Sequence, residues 1–101
     1  MTADVQVHHD GPRAIVAVRG EIDIATSPAL DDAVAGITSG DIVIDLAGVT
    51  FMGSSGLASL LRAARRAEEI GGALSLRAPS KAVCDLLTMT HLVERFTIVV
   101  D

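Results

Sequence analysis

Residues 45–61, DLAGVTFMGSSGLASLL, decide the fold. The stretch begins in an apolar strand and passes through a Gly-Ser-Ser-Gly turn at residues 53–56. After the turn, Leu57, Leu60 and Leu61 recur at the three- and four-residue spacing of one helical face. A buried strand that leads into an amphipathic helix is typical of a sheet with helices packed on it. We therefore predict an α/β fold.

The rest of the chain supplies strands and helices in alternation around this stretch. Near the N-terminus, Asp10-Gly11-Pro12 separates two short apolar segments, which predicts a β-hairpin. Ser27 followed by Pro28 predicts a helix start, because serine is a favoured N-cap and proline has no amide to waste in the first turn. The predicted strands are residues 5–8, 14–19, 42–46, 74–77 and 96–100, with a loop at 47–50. The predicted helices run from 27 to 39–40, from just after 56 to 71–72, and from 79–80 to about 88.

The order β-β-α-β-α-β-α-β predicts a fold class of α/β type. Strands that alternate with helices require crossover connections, which place successive strands parallel. We expect a mixed, mainly parallel sheet of about five strands with three to four helices packed on it. The chain of 101 residues is one domain's worth of sequence, so residues 1–101 are expected to form a single domain.

Composition excludes several classes of function. Lys and Arg number 8 against 13 Asp and Glu, and the net charge of −5 disfavours a direct nucleic-acid partner, which requires a basic face. The single cysteine, Cys84, excludes an internal disulfide and is expected to be a small buried hydrophobe. No apolar run approaches the length of a membrane span, so we expect a cytoplasmic domain without a membrane partner. Neither a metal nor a cofactor is predicted.

The serines of the Gly-Ser-Ser-Gly turn lie where a helix begins. Helix N-termini carry unpaired amides and about half a positive charge. A serine there can simply cap the helix, or it can carry a phosphate that the amides and the dipole stabilise. The flanking Gly53 and Gly56 leave the hydroxyls uncrowded and allow a second protein to come close. Both interpretations stay open on the residues alone.

Enzyme motifs do not fit the same turn. A nucleophile elbow needs G-x-S-x-G, and a Walker A loop needs a lysine that this turn lacks. A triad of Ser54, His91 and Asp23 is not excluded, although no spacing favours it. Asp45 is expected to satisfy turn amides. Asp23 either does the same, shapes the charge around Ser54 or holds a metal-bound nucleotide that belongs to a partner.

Three groups of residues together resemble a known family. Gly20-Glu21-Ile22-Asp23 follows a strand, and Asp45-Leu46 leads to residues 49–57, VTFMGSSGL. Gly71-Gly72 and residues 79–92 fit the C-terminal half in the same order. The pattern resembles the bacterial anti-sigma factor antagonists, also called anti-anti-sigma factors, which are STAS domains. The resemblance covers essentially the whole chain.

The resemblance implies a non-enzymatic switch in transcription regulation. Members of this family bind an anti-sigma factor with serine kinase activity and thereby release a sigma factor. The kinase phosphorylates the first serine of the motif, here Ser54 with Ser55 as the fallback, and a serine phosphatase reverses the modification. The family usually carries aspartate before that serine, whereas this chain has Gly53.

The resemblance and the expected closeness of two loops predict a contact surface. It combines the loop at 22–27, the turn at 52–57 and the exposed face of the following helix. The alternative is a STAS module that senses a small anion or nucleotide at the Ser54 helix N-terminus. The predicted partner-binding residues are Glu21, Asp23, Ile24, Thr26, Met52, Gly53, Ser54, Ser55, Gly56, Leu57 and Arg62.

Overall fold

The computed structural model describes residues 2–100, and the predicted domain boundaries at residues 1 and 101 lie outside that part. The described chain forms one five-stranded sheet with three α-helices, which confirms the predicted fold class. The elements in order are β1 (Ala3–Asp10), β2 (Arg13–Ile22), α1 (Ser27–Ala35), β3 (Asp41–Met52), α2 (Ser54–Glu69), β4 (Leu74–Arg77), α3 (Lys81–Met89), a 3-10 turn (Val93–Arg95) and β5 (Thr97–Val99).

The strands lie side by side in the order in which they occur along the chain. β1 pairs with β2 antiparallel, and every later neighbour pairs parallel. Right-handed crossovers that always step in one direction leave their helices on one face of the sheet. The hydrophobic core lies on that face, because the buried side chains of all three helices cluster there with Val16, Ile44 and Leu76 of the sheet. Ile15 and Val43 point to the opposite face and do not belong to that cluster.

β3 is more than twice as long as predicted, with 12 residues instead of the five at 42–46. Residues 47–50 were expected to form a loop, but they continue the strand and pair with the end of β2 through two bulges. β4 pairs only as far as Asp45, so residues 46–52 of β3 project beyond it. Together with the end of β2 they form a two-stranded ribbon, and α3 packs mainly on β3. The ribbon carries Gly53 at its tip. α2 begins at Ser54, so residues 54–56 form the first turn of the helix, and the prediction that the helix starts after residue 56 was wrong.

α1 begins and ends differently from the prediction. Thr26 is the N-cap and Ser27 is the first helical residue, so the prediction of Ser27 as the cap was wrong by one position. The amide of Ser27 donates to the carbonyl oxygen of Asp23 at 2.8 Å, which starts the helix without a serine cap. The helix ends at Ala35 rather than near Ser39, and Arg66 donates to the carbonyl oxygens of Ala35 and Ile37 that this early end leaves free.

α3 follows its predicted bounds closely but turns Cys84 outward. Ser80 is its N-cap, and the Ser80 hydroxyl accepts a hydrogen bond from the amide of Val83 at 3.4 Å. Val83 and Leu87, four residues apart, form the buried face. Cys84 lies off that face and is exposed, so the prediction of a buried cysteine was wrong. Between residues 2 and 100 no helix has the length and apolar character needed to cross a membrane.

Candidate functional site

The ends of β2 and β3 bring two loops together. Ile22 and Met52 are register partners at the tip of the ribbon, and each is the last residue of its strand. The amide of Gly53 donates to the carbonyl oxygen of Ile22 at 2.9 Å, which ties the start of one loop to the start of the other. The loop at 23–26 therefore lies next to the first turn of α2, which confirms the predicted closeness of these two segments.

Gly56 seats α2 directly on this ribbon. A Cβ atom at Gly56 would lie 2.7 Å from the Cγ2 of Ile22 and 2.7 Å from the Cγ of Met52, closer than side chains pack. Ile22 is fully buried, so it has no free space to retreat into. Glycine is therefore required for the helix backbone to approach the ribbon this closely. This close packing at Gly56 fixes the position of the first turn of α2.

Asp23 organises the loop at 23–26. Its carboxylate oxygen Oδ1 accepts hydrogen bonds from the amides of Ala25 and Thr26 at 2.9 and 3.0 Å. The Thr26 hydroxyl lies 2.7 Å from the carbonyl oxygen of Glu21 and accepts from the amide of Asp23 at 2.9 Å. Desolvation raises the pKa of Asp23, but the hydrogen bonds from Thr26 and Ala25 outweigh it and lower the pKa below its ordinary value. The structural role considered for Asp23 is confirmed.

Ser54 stands exposed on the first turn of α2. Gly53 is the N-cap with an extended backbone, φ −96° and ψ −174°, and no side chain caps the helix. The first intrahelical bond runs from the amide of Leu57 to the carbonyl oxygen of Gly53. The amides of residues 54–56 come before that bond, so they point out of the helix start. Of the two interpretations that the residues left open, the simple serine cap is therefore not the one that the structure shows.

Two apolar side chains frame the loops. Ile24 is 82% exposed at the tip of the 23–26 loop, and Phe51 is 44% exposed on the ribbon. The Phe51 ring lies beside Gly53, since a Cβ there would be 3.5 Å from the ring Cε2. Ile24 was among the predicted contact residues, whereas Phe51 was missed. An aromatic residue directly before the Met-Gly-Ser turn, in a chain with only 2% aromatics, is the feature that could have identified it.

The predicted contact residues separate into an exposed group and a supporting group. Met52, Gly56 and Leu57 are buried, so their side chains hold the surface from beneath. Glu21 is half-buried on β2, where its carbonyl oxygen receives the Thr26 hydroxyl. The predicted residues with surface that a second molecule can reach are Asp23, Ile24, Thr26, Gly53, Ser54, Ser55 and Arg62.

Arg62 extends the same surface along α2. Residues 54, 58 and 62 are four apart and therefore share one helix face, with Arg62 about 12 Å along the axis from Ser54. Its guanidinium pairs with Asp31 of α1 at 2.9 Å, and the Arg62 side chain keeps 55% of its exposure. A shallow groove of about 250 Å³ lies between α1 and α2 beneath this ion pair, and none of its lining residues belongs to the turn at 52–57.

The alternative chemistries considered for the turn find no support in the geometry. In the described part of the chain, no hydrogen bond links Ser54, His91 and Asp23. Asp45 accepts from the amide of Ala47 at 3.0 Å, which confirms its structural role. Within residues 2–100 no three His, Cys, Asp or Glu side chains are grouped closely enough to hold a metal ion.

Comparison with known proteins identifies the architecture around this surface. A family model described as "Mlab, STAS domain" matches residues 5–100. The chain belongs to the STAS domain family. A curated relative of this STAS chain is the anti-sigma-F factor antagonist RsfB of Mycobacterium tuberculosis, 39% identical over 66 residues. That match covers 62% of the chain and 51% of RsfB, so the chain spans about half the length of this relative.

Solved structures share the whole fold of this STAS domain. An anti-sigma factor antagonist from Mycobacterium paratuberculosis superimposes with a TM-score of 0.86 at 29% identity, over 97% of this chain and 86% of that one. SpoIIAA in its unphosphorylated form, described as an anti-sigma factor antagonist, gives 0.77 at 20% identity over 94% and 87%. The family resemblance drawn from the sequence is confirmed.

Proposed function

We propose that this STAS domain is an anti-sigma factor antagonist that acts by binding, without catalysing a reaction. It binds an anti-sigma factor through the surface built from the 23–26 loop, the first turn of α2 and the exposed face of that helix. The observation that carries the proposal is the position of Ser54, exposed on an uncapped helix start that is tied to the neighbouring loop. Two relatives named as antagonists support the same role.

The apolar side chains supply the affinity of this surface. Ile24 and Phe51 expose apolar area to solvent beside a serine that carries no charge. Burying that area against a partner is favourable by roughly 25 cal/mol per Å². The carboxylate of Asp23 gives the rim a negative charge, so the matching partner face carries basic groups. Binding the anti-sigma factor in this manner releases the sigma factor that it holds.

Phosphorylation of Ser54 by a serine kinase, carried by the anti-sigma factor itself, switches binding off. The modification adds about −1.5 to −2 charges at the centre of the contact surface. The phosphate is stabilised on its own helix by the free amides of residues 54–56 and by the helix dipole. A partner face that fits the unmodified serine must then accommodate a solvated dianion. A loss of about 1.4 kcal/mol already weakens binding tenfold, and a serine phosphatase restores it.

The proposal is tested with Ser54→Ala and Ser54→Glu. Each variant is immobilised and exposed to a lysate of the source organism, and retained proteins are identified by mass spectrometry. We expect Ser54→Ala to retain an anti-sigma factor and Ser54→Glu to retain it at least tenfold less well, which titration calorimetry with the purified partner then quantifies. Ser39, an exposed serine after α1, provides the matched control, and Ser39→Glu is expected to bind as the unmodified chain does.

Incubation of the unmodified chain with the same lysate and magnesium-ATP tests the modification itself. Intact mass and peptide mapping are expected to show one phosphate on Ser54, and Ser54→Ala is expected to remove it. A phosphate on Ser55 would move the switch by one residue. Retention of no anti-sigma factor by any variant would contradict the binding function, whereas equal retention by Ser54→Ala and Ser54→Glu would contradict the switch alone.

A further inference from the structure

The groove between α1 and α2 has an apolar interior. It measures about 250 Å³, and the buried side chains of Val34 and Ala63 form its floor, while Ala35 lies exposed at its rim. For comparison, a dry apolar cavity of about 150 Å³ is large enough to bind benzene. The groove is open to solvent on one side, but it can still take up an aliphatic or aromatic group of similar size.

Two opposite charges face each other across the mouth of this groove. Asp31 extends from α1 and Arg62 from α2, and the Arg62 Nη2 lies 2.9 Å from the Asp31 Oδ2. The Arg62 and Asp31 side chains keep 55% and 33% of their exposure, so water can solvate each of them when they separate. Exposed ion pairs of this kind contribute little net stability. A ligand that brings its own pair of charges can therefore part Asp31 from Arg62 at a small cost.

The buried hydroxyl of Ser59 holds Arg62 at the groove. Ser59 is 2% exposed and lines the groove. Its hydroxyl donates its single proton to the carbonyl oxygen of Ser55 at 3.2 Å, so toward Arg62 it can only accept. It accepts from the Arg62 Nη2 at 3.2 Å. This hydrogen bond does not depend on Asp31, and it keeps the guanidinium beside the groove when the ion pair opens.

Arg66, the second arginine that lines the groove, is already occupied. Its Nη2 donates to the carbonyl oxygens of Ile37 at 2.8 Å and Ala35 at 3.3 Å, at the end of α1. The groove therefore offers one anion and one cation that can change partners, with apolar surface beneath them. A simple anion would be repelled by Asp31 and a simple cation by Arg62. A molecule that carries both charges next to an apolar group complements all three features.

We propose that this groove binds a free α-amino acid with an apolar side chain, such as leucine. The carboxylate of the ligand pairs with the Arg62 guanidinium, whose fork of donors fits a carboxylate, and the ammonium pairs with Asp31. The side chain of the ligand packs on Val34 and Ala63. Every charge is then paired, on the ligand and on the protein alike. A small ligand in an open groove is expected to bind with a dissociation constant on the order of 1 mM.

Nuclear magnetic resonance titration of the isotope-labelled full chain tests the proposal, with leucine added up to roughly 20 mM, well above the expected dissociation constant. We expect saturable shifts of the backbone amide signals from α1 and α2 around the groove. Two analogues each lack one charge, since 4-methylpentanoate has no ammonium and 3-methylbutylamine has no carboxylate. Both are expected to bind at least tenfold more weakly than leucine, and so is free glycine, which lacks the apolar side chain.

Matched variants on each helix locate the site. Arg62→Gln and Asp31→Asn remove one charge each and are expected to weaken leucine binding at least tenfold. Their controls are Arg65→Gln and Asp32→Asn, which remove exposed charges of the same helices outside the groove and are expected to bind leucine as the unmodified chain does. Ala35→Met places a longer side chain at the rim and is expected to compete with the ligand for the groove.

The ligand series uses the unmodified chain, so it decides the proposal even where a variant folds poorly. No saturable shift with leucine, shifts located away from the groove, or equal binding of leucine and 4-methylpentanoate would overturn the proposal. A loss in Arg65→Gln as large as that in Arg62→Gln would do the same. Ser54→Glu is expected to bind leucine normally, so the leucine site and the proposed anti-sigma factor surface can fail independently of each other.

Discussion

Helices α2 and α3 both begin just after a parallel strand, but the two beginnings are built differently. At α3 the Ser80 hydroxyl caps the helix, and the third helical residue, Val83, is buried in the core. At α2 the cap position is Gly53, which has no side chain, and the third helical residue is Gly56, packed by its backbone on the ribbon. One start is closed by its own side chains, while the other leaves its amides and Ser54 open.

The difference shows that the start of α2 in this STAS domain lacks a stabilising side-chain cap and leaves its first turn accessible to other molecules. A side-chain cap contributes about 1 kcal/mol, and α2 does without it. In exchange, the first turn presents a hydroxyl and three amides on a position fixed by Gly56 and by the hydrogen bond from Gly53 to Ile22. The proposed switch, in which Ser54 carries a phosphate in one state and contacts a protein partner in the other, would use this combination of a free helix end and a fixed position.

Replacing Gly56, where α2 packs on the ribbon, should have the largest effect on the free energy of unfolding. Gly56→Ala forces a Cβ against Ile22 and Met52, and overpacking of this kind typically costs 1–3 kcal/mol. We expect the free energy of unfolding, measured in urea, to fall by about 2 kcal/mol. Gly53→Ala is the control, because its Cβ would find only contacts of 3.5 Å or more at a φ of −96°. Equal loss in both variants would show that the close approach at Gly56 is not the cause.

Replacing the serine at each helix start should have a smaller effect on the free energy of unfolding than Gly56→Ala, and the loss should be larger at α3 than at α2. Ser80→Ala deletes the acceptor for the amide of Val83, and we expect a loss of about 1 kcal/mol in the free energy of unfolding. Ser54→Ala deletes a hydroxyl that caps nothing, so its loss should stay within about 0.5 kcal/mol, as for other surface substitutions. Chemical denaturation of both variants decides the point. A larger loss at Ser54 would mean that its hydroxyl supports α2 after all.

Adding a side-chain cap to α2 should make its start resemble that of α3. This change should have the smallest effect on the free energy of unfolding. Gly53→Asp supplies a carboxylate to the free amides and to the positive end of the helix dipole. We expect the free energy of unfolding to rise by about 0.5 kcal/mol, with a gain that shrinks at high salt because the charge is screened. Urea denaturation at low and high ionic strength measures this. A salt-independent change would argue against a capping carboxylate.

Periodicity in the sequence was enough to predict the fold class and to place the Gly-Ser-Ser-Gly stretch where a helix begins. The leucines after Gly56 marked α2, and the alternation of elements marked the parallel sheet. The long β3 was missed because Ala47 and Gly48 favour a loop by composition, whereas pairing with β2 holds them extended. Partners that lie far away in the sequence therefore decided this segment. No local pattern contains that information.

The exposure of individual side chains was harder to predict than the order of the elements. Cys84 was judged by residue type, although Val83 and Leu87 already mark the buried face of α3 and leave position 84 outside it. Met52 and Leu57 lie in the turn that carries Ser54, yet they point into the core. Phe51 has an apolar side chain that the two bulges in the ribbon leave on the surface. Bulges of this kind shift the alternation of faces, and their positions cannot be read from one sequence.

The side-by-side order of the strands has a consequence for how the chain acquires its structure. Every strand pairs with the one made just before it, so a growing chain can add each strand and its helix to a sheet that already exists. The loops to be closed are those of single crossovers, which keeps the entropic cost of each step low. On a ribosome, the ribbon of β2 and β3 can form before β5 has been synthesised. The platform under Ser54 is then assembled early, and β5 is the last strand of the described sheet to be added.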